Sequence, residues 1–290
     1  MSTQAAIATT IDAGDHAALK KAVKYLEGRN FAARLADYAG VPVNRVLGVL
    51  PKALNRQLSG LVRNAVLKGL EVAVDTLEER PPRSPAMGFC SFLAGVTGGV
   101  SGLFGFGALA VELPLTTTLM LRAIAEIAQH QGEDLSTLEA RLACLEVFAY
   151  GAKPNEGNLD VGYYAARALI GKYTRDIAAL ALQRGAVDAS APVVAGLVGE
   201  IVSRFGLVVS DKVAAGALPI LGAVGGATVN IVFMDHFQRV AHAHFTLRRL
   251  ERTYGSSHVR ARYAETGCDE VQCSPLNLFS HWARPRPPGR

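Results

Sequence analysis

The chain has 290 residues, 50% of them hydrophobic and only 19% charged, which excludes general disorder and leaves room for a full hydrophobic core. Ala, Leu and Val outnumber aromatics and 29 Gly accompany them, a composition of closely packed helices and not of a β-sandwich. The net charge is +4 over residues 1–83, −3 over 84–234 and +4 over 235–290, without the dense basic stripe and interleaved aromatics of a nucleic-acid binder.

Residues 1–12 are small and polar. From Asp15 onward Leu19, Ala22, Val23 and Leu26 form one apolar stripe, which predicts a helix closed by Gly28. A short helix follows over Phe31 to Tyr38 and stops at Gly40. Another is expected around Arg45–Leu50, after the Val41-Pro42 turn. A longer one starts at Pro51, with Leu54, Leu58, Leu61, Val62, Ala65, Leu70, Val74 and Leu77 at threes and fours, and halts at Arg80-Pro81-Pro82. The Pro/Ser stretch at 81–85 then marks the edge of a small N-terminal helical subdomain, residues 1–83.

The middle of the chain, residues 84–255, reads as a glycine-rich helical bundle. Between Arg83 and Glu112 lie 28 residues without a charge, and between Lys212 and Asp235 another 22. Each run exceeds the roughly 18 residues of a membrane-span candidate. Glycine is unfavourable inside helices in water unless backbones must touch. Gly95, Gly98, Gly99 and Gly102 in the first run, and Gly222, Gly225 and Gly226 in the second, therefore predict helices crossing at close range. Laying Gly107 on Gly225 aligns Val111 with Val229 and Glu112 with Asn230, an internal repeat. Each half leads into a long helix ended by a glycine, Gly132 and Gly255 respectively.

Between the two runs, Leu135–Tyr150 reads as an amphipathic helix along Leu138, Leu142, Leu145 and Phe148, capped by Asp134 or Ser136. A loop at 151–157 precedes helices over 158–183 and 190–210. Residues 256–290, basic and rich in Pro, read as a disordered tail. No segment alternates as a strand would. The expected fold is all-α, a multi-helix bundle with two glycine-rich apolar hairpins.

Chemical motifs are scarce. Gly105-Phe106-Gly107-Ala108-Leu109-Ala110 matches a dinucleotide fingerprint in its final-Ala form but follows no strand. Gly171-Lys172-Tyr173-Thr174 lacks both the first glycine and the hydroxyl of a phosphate loop. His236, His242 and His244 have spacings of six and two, not the four of a helical zinc pair. Cys268 and Cys273 are too far apart for a zinc knuckle, while Cys90 and Cys144 read as core. No catalytic residue, cofactor or metal ligand is therefore assigned. His244 falls on the apolar face of its helix as a core histidine, and Asp235, Arg239, His242 and Arg249 form a polar stripe.

A carboxylate at the edge of an uncharged run must be paired or face water. Arg122 is the simplest partner for Glu126, four residues on. For Glu112 the repeat points to the Asn230 amide. Glu112, Arg122, Glu126, Asn230, Asp235 and His242 are thus the expected inter-helix polar contacts.

The glycine-rich Gly98-Gly99-Val100-Ser101-Gly102, the helix start Glu112-Leu113-Pro114 and the Leu/Ile-rich helix from Leu119 to Gln129 make a familiar order. Downstream come Leu218-Pro219-Ile220-Leu221-Gly222-Ala223-Val224-Gly225-Gly226-Ala227, Asn230 and a helix closing on Arg248-Arg249-Leu250-Glu251. Over residues 50–255 this resembles the EcsC family of bacterial proteins, although Glu112 stands where Asp would be more usual. The resemblance implies a cytoplasmic all-α protein with a hydrophobic glycine-rich centre and transfers no catalytic residue.

The functional expectation is a non-enzymatic, membrane-associated helical protein in the cytoplasm, peripheral to or inserted in the inner membrane. No secretory signal is read at the N-terminus. Its basic ends would approach acidic lipid, or a membrane protein complex, while glycine-rich hairpins meet the bilayer. The alternatives are a soluble protein-binding helical module or homo-oligomer and, third, an enzyme with a site near Glu112 and Asn230.

Overall fold

A computed structural model of the chain describes residues 10–28, 30–39, 52–75, 109–152, 162–185, 187, 191–216 and 222–272. Among them are nine helices and no strand, an all-α bundle. They are α1 (Ala13–Glu27), α2 (Phe31–Ala39), α3 (Lys52–Asp75), α4 (Leu109–His130), α5 (Leu138–Tyr150), α6 (Tyr163–Arg184), α7 (Pro192–Gly216), α8 (Gly222–Tyr254) and α9 (Ser256–Gln272). The helix expected around Arg45–Leu50, the boundary at 81–85, Gly95, Gly98, Gly99 and Gly102 all lie outside the described residues. Gly222, Gly225 and Gly226 occupy the first turns of α8.

Local chemistry sets the helix ends. Asp12 caps α1 by accepting from the Gly14 N–H at 3.1 Å, and the stripe Leu19, Ala22, Val23 and Leu26 is buried. The Asn30 side-chain Oδ1 accepts from the Ala33 N–H at 2.9 Å at the start of α2. Gly132 and Gly255, beyond the ends of α4 and α8, adopt φ of +79° and +87°, the left-handed geometry that lets a helix stop. α4 begins at Leu109, one turn before the expected Glu112, and carries Pro114 inside it.

Three expectations are revised. Thr137, not Asp134 or Ser136, caps α5 through its Oγ1, because the Asp134 carboxylate accepts from the Ser136 N–H at 3.0 Å and closes the turn ahead of the helix. α5 is also not amphipathic: every residue from Leu142 to Tyr150 is buried, since α3, α4, α6, α7 and α8 all pack around it. Residues 256–272, expected as the start of a disordered tail, form helix α9. It packs on α1 and α8 and buries Val259 and Tyr263. The rest of that tail, 273–290, lies outside the described residues.

The N-terminal helices are continuous with the bundle: α1 runs along α8, and α3 packs against α4, α5 and α7. The centre of the core is aromatic. Phe148 of α5 meets Phe205 of α7 at 4.9 Å between ring centroids and Phe237 of α8 at 5.4 Å. Phe233 and Phe31 extend the cluster.

Candidate functional sites

Three arrangements of polar groups stand out. The first lies where α4 begins and α7 ends. Lys212 Nζ donates to Glu112 Oε1 at 2.6 Å, and both side chains are only 7% exposed. The Lys212 ammonium also lies 4.8 Å from the centre of the Phe233 ring on α8. Burial lowers the Lys212 pKa, and the Glu112 charge acts against that shift. Asn230, three residues before Phe233, is fully buried. Sequence reasoning missed Lys212, because nothing local links two residues one hundred positions apart. Its position at the start of an uncharged run was the available signal. Arg122 and Glu126 are half-buried farther along α4.

Large apolar side chains are exposed at this end, beside the half-buried Asp211, whose pKa burial raises to about 6. Val111 is 75% exposed, Leu115 46%, Leu207 51% and Ile231 39%. Among the described residues, Pro192–Ala215 of α7 is long and apolar enough to cross a membrane by length and composition, with 39% of its apolar window buried.

The second arrangement is a polar network inside the core. Glu146 on α5 is buried between two hydroxyls: Tyr150 donates to its Oε2 at 2.7 Å, and Thr174 of α6 donates to its Oε1. Burial pushes the Glu146 carboxyl above the usual carboxylate range, while the two hydroxyls hold it down. Beside it His244 shares a 2.7 Å hydrogen bond through Nδ1 with the Tyr163 hydroxyl. Burial drives the His244 pKa well below its ordinary value, aided by the charges of Arg167 and Arg248, so the ring is neutral. The neutral ring can accept from Tyr163, as a core histidine should. Arg167 grips Glu251 through two nitrogens, at 2.9 and 2.7 Å. The Glu146 carboxylate and the Tyr150, Tyr163 and Thr174 hydroxyls all have internal partners, while His244 Nε2 has none among the described residues. The network opens to no described cavity and ties α5, α6 and α8 together.

Nearby, the closing Arg248-Arg249-Leu250-Glu251 segment is a clamp. Arg248 and Arg252 both bind Glu133 in the α4–α5 connection, and Arg249 binds Asp15 of α1 at 2.7 Å. Two carboxylates thus engage the three C-terminal arginines of α8 within the fold. The polar stripe of Asp235, Arg239, His242 and Arg249 divides accordingly, with Arg249 at this clamp and the other three farther back along α8.

The third arrangement is a cleft of about 500 Å³ between α1 and α8, lined by Lys21, Tyr25, Asp235, Gln238, Arg239 and His242 over an alanine floor. Arg239 Nε holds Asp235 at 2.8 Å. His242 is half-buried with its pKa lowered, first by burial and then by Lys21 and His130. No group of three or more His, Cys, Asp or Glu side chains suited to a metal occurs among the described residues.

No curated protein and no solved structure shows significant similarity to the chain. The family model described as the EcsC protein family matches residues 32–250, a span from α2 through Leu250 of α8 that takes in the Glu112–Lys212 pair and both uncharged runs. The chain belongs to the EcsC protein family.

Proposed function

We propose that the protein is a non-enzymatic helical module that docks on a membrane through the end of the bundle where α4 begins and α7 ends. One observation carries this reading. Glu112 ends the first uncharged run, Lys212 precedes the second, and the two side chains neutralise each other in the interior. The end of the first run and the start of the second are therefore side by side, and the ion pair removes two charges that would resist contact with lipid. Exposed at that end are Val111, Leu115, Leu207 and Ile231, with the half-buried Asp211 among them. Three of the cations expected to attract acidic lipid lie elsewhere. Arg248, Arg249 and Arg252 are in ion pairs about 24 Å along α8 from Phe233, at 1.5 Å rise per residue. Apolar burial, more than charge, is thus the driving force.

Flotation with phosphatidylcholine vesicles, with and without phosphatidylglycerol, tests the reading. Wild-type protein should float with both compositions. Val111→Asp with Leu115→Asp, both at exposed positions, should cut binding by about tenfold or more without lowering the melting temperature. A wild-type chain that stays unbound, or a double variant that floats as well as wild type, would return the reading to a soluble protein-binding module.

A further inference from the structure

The cleft between α1 and α8 plays no part in the membrane reading. The two helices are tied at one end by Asp15 with Arg249 and Tyr254. At the other they meet through Tyr25, whose ring lies 6.4 Å from that of His236. Between these points Ala22 and Ala243 face the gap, and side chains so small leave about 500 Å³ unfilled, the size of a small-molecule site.

Two donors in the cleft are left without acceptors. Gln238 is only 5% exposed, and its amide nitrogen has no hydrogen-bond partner among the described residues. The buried Tyr25 hydroxyl has none either. Burial pushes the Tyr25 pKa up to about 12, so the phenol keeps its proton. Buried donors without acceptors are costly and uncommon in folded proteins, and two of them lining one cavity suggest that an acceptor arrives from outside.

The charges around the cleft define that acceptor. Asp235 is engaged through both its oxygens by Arg239 Nε, so the carboxylate that lines the cleft is already neutralised. Arg239 uses Nε alone for this contact, which leaves the planar fork of its terminal nitrogens for a second anion. Lys21 adds an ammonium at the exposed rim. A cationic ligand would find no free carboxylate here. A neutral one would leave Lys21 and the arginine fork unused.

We propose that this cleft binds a small organic anion bearing a carboxylate or a phosphate monoester, with a short apolar body resting on the alanines. Gln238 and Tyr25 donate to its oxygens from the buried side, while Lys21 and Arg239 neutralise its charge from the rim. Such an anion could be a free metabolite or the headgroup of an anionic lipid, and the two sources share this chemistry.

Isothermal titration calorimetry with inorganic phosphate, glycerol 3-phosphate and succinate is the direct test on the full chain. At least one should bind at one site per chain. Tyr25→Phe and Gln238→Leu should each weaken it by about tenfold or more, the value of a hydrogen bond to a charged group. Both variants should melt no lower than wild type, because each removes a donor that lacks an acceptor. Lys21→Gln should weaken binding and flatten its dependence on salt. Phosphatidylglycerol vesicles distinguish the sources. A lipid headgroup requires that Gln238→Leu reduce vesicle binding and that glycerol 3-phosphate compete with it, whereas a free metabolite leaves vesicle binding indifferent to both. Silence from all three probes, or unchanged binding by Tyr25→Phe and Gln238→Leu, would overturn the assignment.

Discussion

Lys212 Nζ and Glu112 Oε1 lie 2.6 Å apart inside the bundle, joining the residue that ends one uncharged run to the residue that precedes the other. The contact fixes the start of α4 against the end of α7. It also explains how a carboxylate and an ammonium can border such oily segments.

Removing one member of this pair should cost far more than removing both. Lys212→Met leaves the Glu112 carboxylate buried without its counter-charge, at about 3–5 kcal/mol. Glu112→Leu combined with Lys212→Met should recover much of that loss, because no charge then remains to be solvated. Urea denaturation of the single and double variants reads the coupling directly. Strict additivity would show that the two side chains do not act as a pair.

Glu146 should make the protein less stable as pH rises. Its folded-state pKa lies above the unfolded one because burial outweighs the Thr174 and Tyr150 hydrogen bonds. Below the unfolded carboxyl pKa, about 4.3, both states are protonated and the group contributes no difference. As pH climbs above that value, the unfolded chain ionises first and stability falls until the folded-state pKa is passed. Glu146→Gln removes this dependence. The stability difference between variant and wild type should therefore shift in favour of the variant as pH climbs above the unfolded carboxyl pKa of about 4.3. Denaturant midpoints across that range check it, and a difference that stays flat would contradict the raised pKa.

Two glycine-to-alanine substitutions should act in opposite directions. A Cβ on Gly151 would lie 2.5 Å from the Phe237 ring, which is fully buried and cannot retreat, so Gly151→Ala should destabilise by about 1–3 kcal/mol. A Cβ on Gly206, within α7, would meet nothing within 4 Å, so Gly206→Ala should stabilise by about 0.5–1 kcal/mol through helix propensity. Thermal melts of the two variants give the signs. Equal shifts would mean that α5 and α8 are not in close contact at Gly151.

Much of the fold is legible in the sequence where the cause is local. The stripe from Leu19 to Leu26 predicts α1 and its buried face, and Gly132 and Gly255 predict where the two long helices stop. His244 reads as a core residue because its neighbours at helical spacing are apolar, and the Tyr163 hydroxyl is the partner that makes it so. α5 misleads the periodicity argument. A helix wrapped on all sides shows no polar face, and Glu146, off the line of Leu138, Leu142, Leu145 and Phe148, is buried against Thr174, 28 residues away. α9 is missed because its basic, polar sequence resembles a tail, and only its contacts with α1 and α8 bury Val259 and Tyr263.

The sequence by itself determined the helices other than α9, the glycines that end the two long ones and the two uncharged runs, since each depends on residues within a few turns of one another. Only the tertiary structure decided which charges pair: Glu112 with Lys212, Glu133 with Arg248, Asp15 with Arg249. It alone shows that alanines on α1 and α8 leave a cleft with two donors that lack acceptors among the described residues. The physical reason is that helix formation follows from local hydrogen bonds and periodic burial. The partner of a buried charge depends on which distant segment desolvation brings against it, and no local pattern encodes that choice.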